Sequence, residues 1–459
     1  MRFIFALLVA ALSLPLPIHA ASWVKLQASQ VELLTDAGER AGRDALNRLL
    51  QLRGMFQEPH GGRKLQIILF SSKRDFQELA PAGTADGVYY SGPGYDFILM
   101  YAGGELGRVA AHEYIHFLLN QSSTTRPLWF EEGTAELYST YSVRGAKLSI
   151  GAPIQPHVEL LSSRKWLTAG ELSAVTGTST LFNERNHAGL FYAQSWALVH
   201  LLNFSQRYRN NLPRFIELLD GKDAASAFEE AFGRTLTEAI NDAQEHYRRA
   251  REVTVDAPIS INETIPHEPI SDVDGLLLRV TLGLRTGHPE VARKWLERAA
   301  QTSPSSPEVA TQRAMLALYD GDRKGGRARL QQALQANSRD ATLWFELAMV
   351  ERELDAPRDR VRELLRKTAE IDPSFGEAQF LLGVEATDLG HFNEAITRLQ
   401  EAARDQPRRS SVWYALAFAL ERNGNLAAAG QAAARAQRTA STREEESMAR
   451  ALLDSMDIH

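Results

Sequence analysis

The sequence contains no cysteine among its 459 residues. Disulfide bonds and lipid attachment through an N-terminal cysteine are therefore excluded, so core packing, helped at most by a metal ion, must hold the folded chain together. The sequence also lacks a strong excess of charge, because its formal net charge is −6 at pH 7. We therefore expect no nucleic acid among its partners.

Long apolar runs are missing except at the N-terminus. Arg2 is followed there by an apolar run from Phe3 to Leu14, two prolines and a small-residue exit at Ala20-Ala21. We interpret residues 1–20 as a secretory signal peptide, because a membrane anchor needs about 20 apolar residues without such prolines. The protein is therefore expected to be exported, either to a bacterial periplasm or into the medium, with no membrane span after signal removal.

The C-terminal part of the sequence repeats itself about every 34 residues, which is the tetratricopeptide period. Small residues recur where the two helices of a repeat would touch, for example at Gly383 and Ala395. The third repeat is one residue longer than the others, and we place its extra residue between Asp355 and Pro357. The five repeats start at Val273, Pro307, Ala341, Gly376 and Ser410.

The length of the chain predicts two to three domains. We place the first domain at residues 22–252, a proline-containing linker at 253–272, the five repeats at 273–443 and a capping helix at 444–459. An all-α tetratricopeptide solenoid has no chemistry of its own, so these repeats predict a protein partner that binds in their groove.

A possible metal site lies within an apolar stretch that predicts a helix from about Leu106 to Asn120. His112-Glu113-Tyr114-Ile115-His116 spells H-E-x-x-H there. On a helix His112 and His116 lie on one face and can bind a single zinc ion, while Glu113 is left to act on a water molecule. Burying these side chains without a partner would be unfavourable, and a metal removes that penalty. The five residues alone occur by chance often enough to be only suggestive.

A catalytic zinc site usually has a third protein ligand. A second helix is predicted after Pro127, and it carries three carboxylates at Glu131, Glu132 and Glu136. Glu136 follows Glu132 by one turn, so it could orient a ligating histidine from behind. A solvated carboxylate is an equally good interpretation of Glu136.

The second helix resembles the gluzincin zinc peptidases. Trp129-Phe-Glu-Glu132-Gly133-Thr-Ala135 matches the W-x-x-E-G-x-A motif of their aminopeptidase branch. This resemblance implies a thermolysin-like α+β metallopeptidase domain in which Glu132, rather than Glu131, is the third zinc ligand. It covers roughly Val31 to Tyr247 and is shared with exported bacterial proteins of the peptidase MA-like group.

The same resemblance implies roles for two further stretches. Tyr192, near the start of a helix predicted at Gly189–Leu202, resembles a tyrosine that donates a hydrogen bond to the oxyanion, although Ala193-Gln194 departs from the usual pattern. A tyrosine that only packs the helix is the alternative. Asp96–Tyr101 is similar to the edge strand that binds extended peptide, and an ordinary buried strand is its alternative. We predict a loop at Ala82–Tyr95.

Together these residues predict an exported zinc metallopeptidase in which Glu113 is the general base. No glycine-rich exopeptidase motif is recognisable, which favours an endopeptidase or oligopeptidase over an aminopeptidase. The alternative function is a non-catalytic tetratricopeptide scaffold, or a chaperone-like binding protein, with a structural or silent metal domain. The complete set of three ligands beside an unreplaced Glu113 favours the enzyme.

Overall fold

The computed structural model describes residues 23–56, 63–81, 86–92, 95–175, 185–256 and 264–456. The predicted signal peptide at residues 1–20 lies outside the described residues. Within the described ranges, no helix is both long enough and apolar enough to cross a membrane.

A six-stranded mixed sheet forms the centre of the N-terminal part. Its strands are β1 (Val24–Ala28), β2 (Val31–Thr35), β3 (Leu65–Phe70), β4 (Gly87–Gly92), β5 (Tyr95–Tyr101) and β9 (His267–Pro269). They lie in the order β4, β5, β3, β2, β1, β9. The central strand β3 pairs in parallel with both β2 and β5. Its nearly continuous apolar run is what a strand covered on both faces requires.

The prediction that Asp96–Tyr101 is an edge strand is wrong. Ile98, in the middle of β5, pairs with Ile67 of β3 on one side and with Tyr89 of β4 on the other. The outer strand is β4, which lies within the stretch predicted as a loop. Its Val-Tyr-Tyr centre suits a strand, but the surrounding glycines gave the stretch the composition of a turn.

Helices cover one face of this sheet. They are α1 (Glu39–Met55) and α3 (Leu106–Asn120), while α2 (Lys73–Gln77) lies on the opposite face. The side chains of Leu46 and Leu49 from α1 and of Ile115 from α3 join those of Leu33 and Ile67 in one buried cluster. Burial of each such side chain contributes roughly 1.5–3 kcal/mol. This core fixes α3, and with it the H-E-x-x-H motif, against the sheet.

A helical layer follows α3 in the chain. It consists of α4 (Leu128–Ser139), α5 (Gln155–Ser163), α6 (Ala169–Ala174), α7 (Arg185–Phe204), α8 (Leu212–Leu218), α9 (Ala224–Phe232) and α10 (Leu236–His246), which a 3-10 turn (Tyr247–Arg249) extends. Trp129, Phe191 and Trp196 are buried in its core. A small antiparallel sheet lies beside it, with strands β6 (Ser142–Arg144), β7 (Lys147–Ile150) and β8 (Val253–Asp256).

His200 makes the stability of this helical layer depend on pH. Its ring is buried, with Nδ1 2.8 Å from Nε2 of His246 and Nε2 near the carbonyl oxygens of Gly151 and Arg251. Burial, helped by repulsion from His246, lowers the pKa of His200 from 6.5 to about 4. His200 therefore stays neutral in the folded protein at pH values where an unfolded chain would protonate it.

The contribution of neutral His200 to stability is complete above pH 6.5 and is lost as the pH falls toward 4. Between pH 7 and pH 5 we expect a loss of about 2 kcal/mol. The measurement is thermal unfolding at both pH values for the wild type and for His200→Gln, in which this loss should largely vanish. The exposed His391 provides the matched control. An equal flattening of the pH dependence in His391→Gln would contradict the assignment.

Five helix pairs and a final helix make up the C-terminal part. The pairs are α11 (Asp272–Arg285) with α12 (Pro289–Thr302), α13 (Pro307–Tyr319) with α14 (Arg323–Ala336), α15 (Ala341–Glu353) with α16 (Arg358–Ile371), α17 (Gly376–Asp388) with α18 (Phe392–Asp405) and α19 (Ser410–Arg422) with α20 (Leu426–Arg438), followed by α21 (Arg443–Met456).

The extra residue of the third repeat lies where the sequence predicts it. The turn inside this repeat spans residues 354–357, one residue more than the corresponding turn of each other repeat. The other four turns contain a glycine with positive φ, for example Gly390 at 76°, whereas Asp355 adopts φ 56° in the third. Asp tolerates this left-handed conformation better than most residues.

The segment predicted as a linker contributes strands to both sheets. Its beginning forms β8, which pairs with β7, and its end forms β9, which pairs with β1. Just beyond it, α11 packs on the face of the large sheet that α2 occupies, where Arg279 bridges the carboxylates of Asp36 at 3.0 Å and Asp75 at 2.9 Å. The first repeat is thereby joined directly to the N-terminal part.

Candidate metal centre

Helices α3 and α4 hold the candidate site between the large sheet and α7. Gly133 explains how α4 can lie so close to α7, because a Cβ atom at this position would come within 2.3 Å of the Ser195 carbonyl oxygen. A larger residue would push the two helices apart. The glycine of the W-x-x-E-G-x-A motif therefore has a packing role beside the carboxylate that precedes it.

The structure brings His112, His116 and Glu132 together at one point. The two Nε2 atoms lie 3.1 Å apart. Oε2 of Glu132 lies 3.4 Å from Nε2 of His112 and 3.3 Å from Nε2 of His116. These three atoms form a nearly equilateral triangle.

The size of this triangle fits a zinc ion. Tetrahedral zinc with ligand atoms at about 2.0–2.1 Å keeps those atoms roughly 3.3 Å from each other. Oε2 of Glu132 is buried and accepts no hydrogen bond from the described residues. A cation would satisfy this carboxylate oxygen and both imidazole nitrogens at once. Two imidazoles and one carboxylate are also a donor set that suits zinc, with one position left for a reactant.

The electrostatics of the three side chains favour a positive charge between them. Burial opposes a charge on His116, but the Glu132 carboxylate outweighs it and raises the pKa of His116 to about 9. Burial likewise opposes ionisation of Glu132, and the two histidines nevertheless lower its pKa to about 2. Such a site holds either a proton or a metal cation readily.

Glu136 lies behind His112. Its Oε1 atom is 3.6 Å from Nδ1 of His112, and its Oε2 atom is 3.0 Å from the Arg108 guanidinium and 3.4 Å from Nε2 of His157. Burial opposes ionisation, but His157, His112 and Arg108 together lower the pKa of Glu136 below its usual value. Glu136 is buried rather than solvated, and its position suits orientation of the His112 ring.

Glu113 is held by the outer strand β4. Its Oε2 atom accepts a hydrogen bond of 2.8 Å from the backbone N–H of Tyr89 in β4. Gly87 permits this close approach, since a Cβ atom there would come within 2.3 Å of Val109 on α3. The carboxylate of Glu113 is thus held beside the three candidate ligands without joining them.

Tyr192 lies at the same site. Its ring centroid is 6.3 Å from that of His112. Burial, together with the negative charges of Glu132, Glu113 and Glu136, raises its pKa far above the usual value. The prediction that Tyr192 lies near the start of its helix is wrong. Helix α7 begins at Arg185, so Tyr192 lies two turns after the first residue of the helix.

Glu131, the neighbour of Glu132, has a different partner. Its Oε1 atom accepts a hydrogen bond of 2.7 Å from Arg408, which lies in the turn before α19. Arg408 also donates to the carbonyl oxygens of Leu119 and Ser122 at the end of α3. A residue of the solenoid therefore ties together the ends of both helices that carry the candidate ligands.

Sequence reasoning missed several members of this site. Arg108 precedes His112 by four residues, so helical spacing alone could have placed it on the same face. His157, the backbone N–H of Tyr89 and Arg408 come from distant parts of the chain. No local pattern in the sequence indicates them.

Comparison with protein-family models supports the helical repeats. A tetratricopeptide repeat model matches residues 311–374 and 380–444. The matched ranges lie within the second to fifth repeats and the start of the final helix, so this part of the chain consists of tetratricopeptide repeats, a class of protein-binding module.

Comparison with solved structures finds matches to part of the chain. YrrB, described as a TPR protein with an unusual peptide-binding site, is 17% identical over 39% of this chain and 92% of its own, with a TM-score of 0.31. MamA from Desulfovibrio magneticus RS-1 is 19% identical over 41% of this chain and 98% of its own, with a TM-score of 0.29. A search of curated proteins found no match. Because these TM-scores are low, the repeat assignment rests on the family model and the helix bounds.

Proposed function

We propose that the chain is an exported zinc-dependent peptidase whose tetratricopeptide repeats bind a substrate or partner protein. The triangle formed by His112, His116 and Glu132 is the observation that carries this proposal. Its edges of 3.1–3.4 Å match the spacing of ligand atoms around a tetrahedral ion. The gluzincin resemblance adds the expectation of peptide-bond hydrolysis by a thermolysin-like domain.

The residues around the triangle have distinct roles in this proposal. A zinc ion bound there would supply Lewis-acid polarisation and make a water molecule more acidic. Glu113 accepts the proton from the attacking water and returns it to the leaving amine. Tyr192 donates a hydrogen bond to the oxygen on which negative charge develops. Glu136 orients His112.

The second candidate function is a protein-binding scaffold without catalysis. The family match bears only on the repeats, and it supports this candidate more directly than the peptidase. A structural metal in such a scaffold would satisfy the buried Glu132 oxygen, but it gives no role to the carboxylate of Glu113 beside the metal ligands. For that reason we place the peptidase first and assign the repeats a binding role under either function.

Metal removal distinguishes the two candidates. We expect the purified protein to cleave an unfolded protein substrate, to lose this activity in a zinc chelator, and to regain it when zinc is restored, because the candidate ligands need a cation to act together. Cleavage is followed by mass spectrometry of the products. Under the scaffold function the substrate is bound but stays intact with or without zinc.

A further inference from the structure

A large cavity lies between the N-terminal part and the last two repeats. Its volume is about 1100 Å³. One wall is the face of α3 that carries Tyr114, Ile115 and Leu118, which lies roughly opposite the face with His112 and His116. None of the three candidate metal ligands lines this cavity. It is therefore a separate site from the metal centre.

The described residues that line this cavity carry one sign of charge. Its described residues include five arginines and neither aspartate nor glutamate, although the chain as a whole has a net charge of −6. Two of these arginines already have carboxylate partners, Arg63 with Asp96 and Asp405, and Arg404 with Glu401. The five are Arg53, Arg63, Arg126, Arg404 and Arg435.

Arg126 and Arg435 make no ion pair with a carboxylate of the described residues. Arg126, in the turn between α3 and α4, donates to the carbonyl oxygens of Leu119 and Thr124. Arg435 lies over the Trp413 ring, 4.8 Å from its centroid. Burial, helped by repulsion from Arg408, lowers the pKa of Arg126, although the carboxylates of Glu131 and Asp220 oppose this shift. Five arginines around an apolar cavity whose described lining contains no carboxylate favour an anionic ligand.

We infer that this cavity binds an acidic peptide segment, whose carboxylates pair with Arg126 and Arg435. The same cavity is also lined by the apolar side chains of Met55, Phe56 and Trp413, which suits a segment in which acidic and apolar residues alternate. The cavity also exceeds the roughly 300–1,000 Å³ typical of sites for small molecules. The inference does not require the metal site to be occupied.

The test uses the full mature chain in a metal chelator, so that no metal-dependent cleavage occurs. The probe is a fluorescein-labelled hexapeptide of alternating glutamate and leucine, compared by fluorescence anisotropy with its glutamine counterpart. We expect the acidic peptide to bind at least about tenfold more tightly, because hydrogen bonds to charged groups are the stronger ones. Its affinity should also fall as salt concentration rises.

Substitution of the two arginines locates the binding. Arg126→Gln and Arg435→Gln should each weaken acidic-peptide binding by about tenfold. Arg358→Gln, an exposed arginine of the third repeat, is the matched control and should leave it unchanged. Circular dichroism verifies that each variant is folded. If Arg126→Gln does not fold, Arg435→Gln alone tests the inference. The Arg435 side chain is exposed, so its replacement should not affect folding.

Three outcomes would overturn the inference. Equal binding of the two hexapeptides would remove the role of charge. Unchanged binding in both arginine variants would move the site away from this cavity. If a single-stranded oligonucleotide bound more tightly than the acidic peptide and competed with it, the ligand of this cavity would be a nucleic acid and not a peptide. None of these results depends on whether the protein is a peptidase.

Discussion

Replacement of Glu113 by glutamine is expected to lower the rate of peptide hydrolysis by roughly 10²–10⁴-fold, the usual contribution of a general acid or base. The amide keeps the size of the side chain and an oxygen that can accept the hydrogen bond from the Tyr89 N–H. It cannot accept a proton from water at neutral pH. Bound zinc should remain, because Glu113 is not among the three candidate ligands.

Steady-state hydrolysis of a fluorogenic peptide and zinc content are the two measurements for this variant. The matched control is Glu229→Gln, the same substitution at an exposed position of α9. A Glu113→Gln protein that binds zinc and cleaves at the wild-type rate would rule out the proposed role of Glu113.

Substitution of two adjacent carboxylates, Glu131 and Glu132, is expected to have very different effects on zinc affinity. Glu132→Ala removes one corner of the candidate ligand triangle, whereas Glu131→Ala removes the partner of Arg408. Changes behind a metal ligand already weaken binding about 10–100-fold, so loss of Glu132 itself should lower zinc affinity by at least about 100-fold. Glu131→Ala should keep zinc affinity near the wild-type value.

Competition with a chromophoric chelator measures both zinc affinities under the same conditions. Glu131 is the control because it is next to Glu132 in the chain and lies on the same short helix. If Glu131→Ala lost zinc and Glu132→Ala retained it, Glu131 rather than Glu132 would be the metal ligand. Zinc affinity at the wild-type value in both variants would mean that neither carboxylate binds the metal.

The repeats could be predicted from the sequence because their structure is local. Each helix pair is determined by contacts within about 34 residues, so its period is visible in the chain. The one-residue insertion was placed correctly for the same reason. The left-handed conformation of Asp355 occupies the position that glycine holds in the other turns.

The candidate metal site was only partly predictable. Helical geometry alone places His112 and His116 on one face, but it cannot choose between Glu131 and Glu132. That choice came from the gluzincin resemblance, and the structure places Glu132 at the triangle. The contacts of Glu131 with Arg408 and of Glu113 with Tyr89 join residues distant in the chain. No period in the sequence encodes them.

Strand order was the least accessible part of the fold. Whether a strand is central or lies at an edge depends on which partners it finds, and these partners are far apart in sequence. The apolar run of β5 suits both positions. The sequence therefore predicted the strand but not its neighbour β4, whose tyrosines and glycines suggested a loop.

Elemental analysis of the purified protein shows whether His112, His116 and Glu132 hold zinc. The proposed zinc site predicts one equivalent of zinc in the wild type, because three donor atoms lie at the spacing that a tetrahedral ion requires. It predicts little zinc in Glu132→Ala prepared in parallel. The opposite result would be a wild-type protein that contains no zinc after purification without chelators and that does not take up added zinc. This result would contradict the proposed zinc site and leave the tetratricopeptide scaffold as the function.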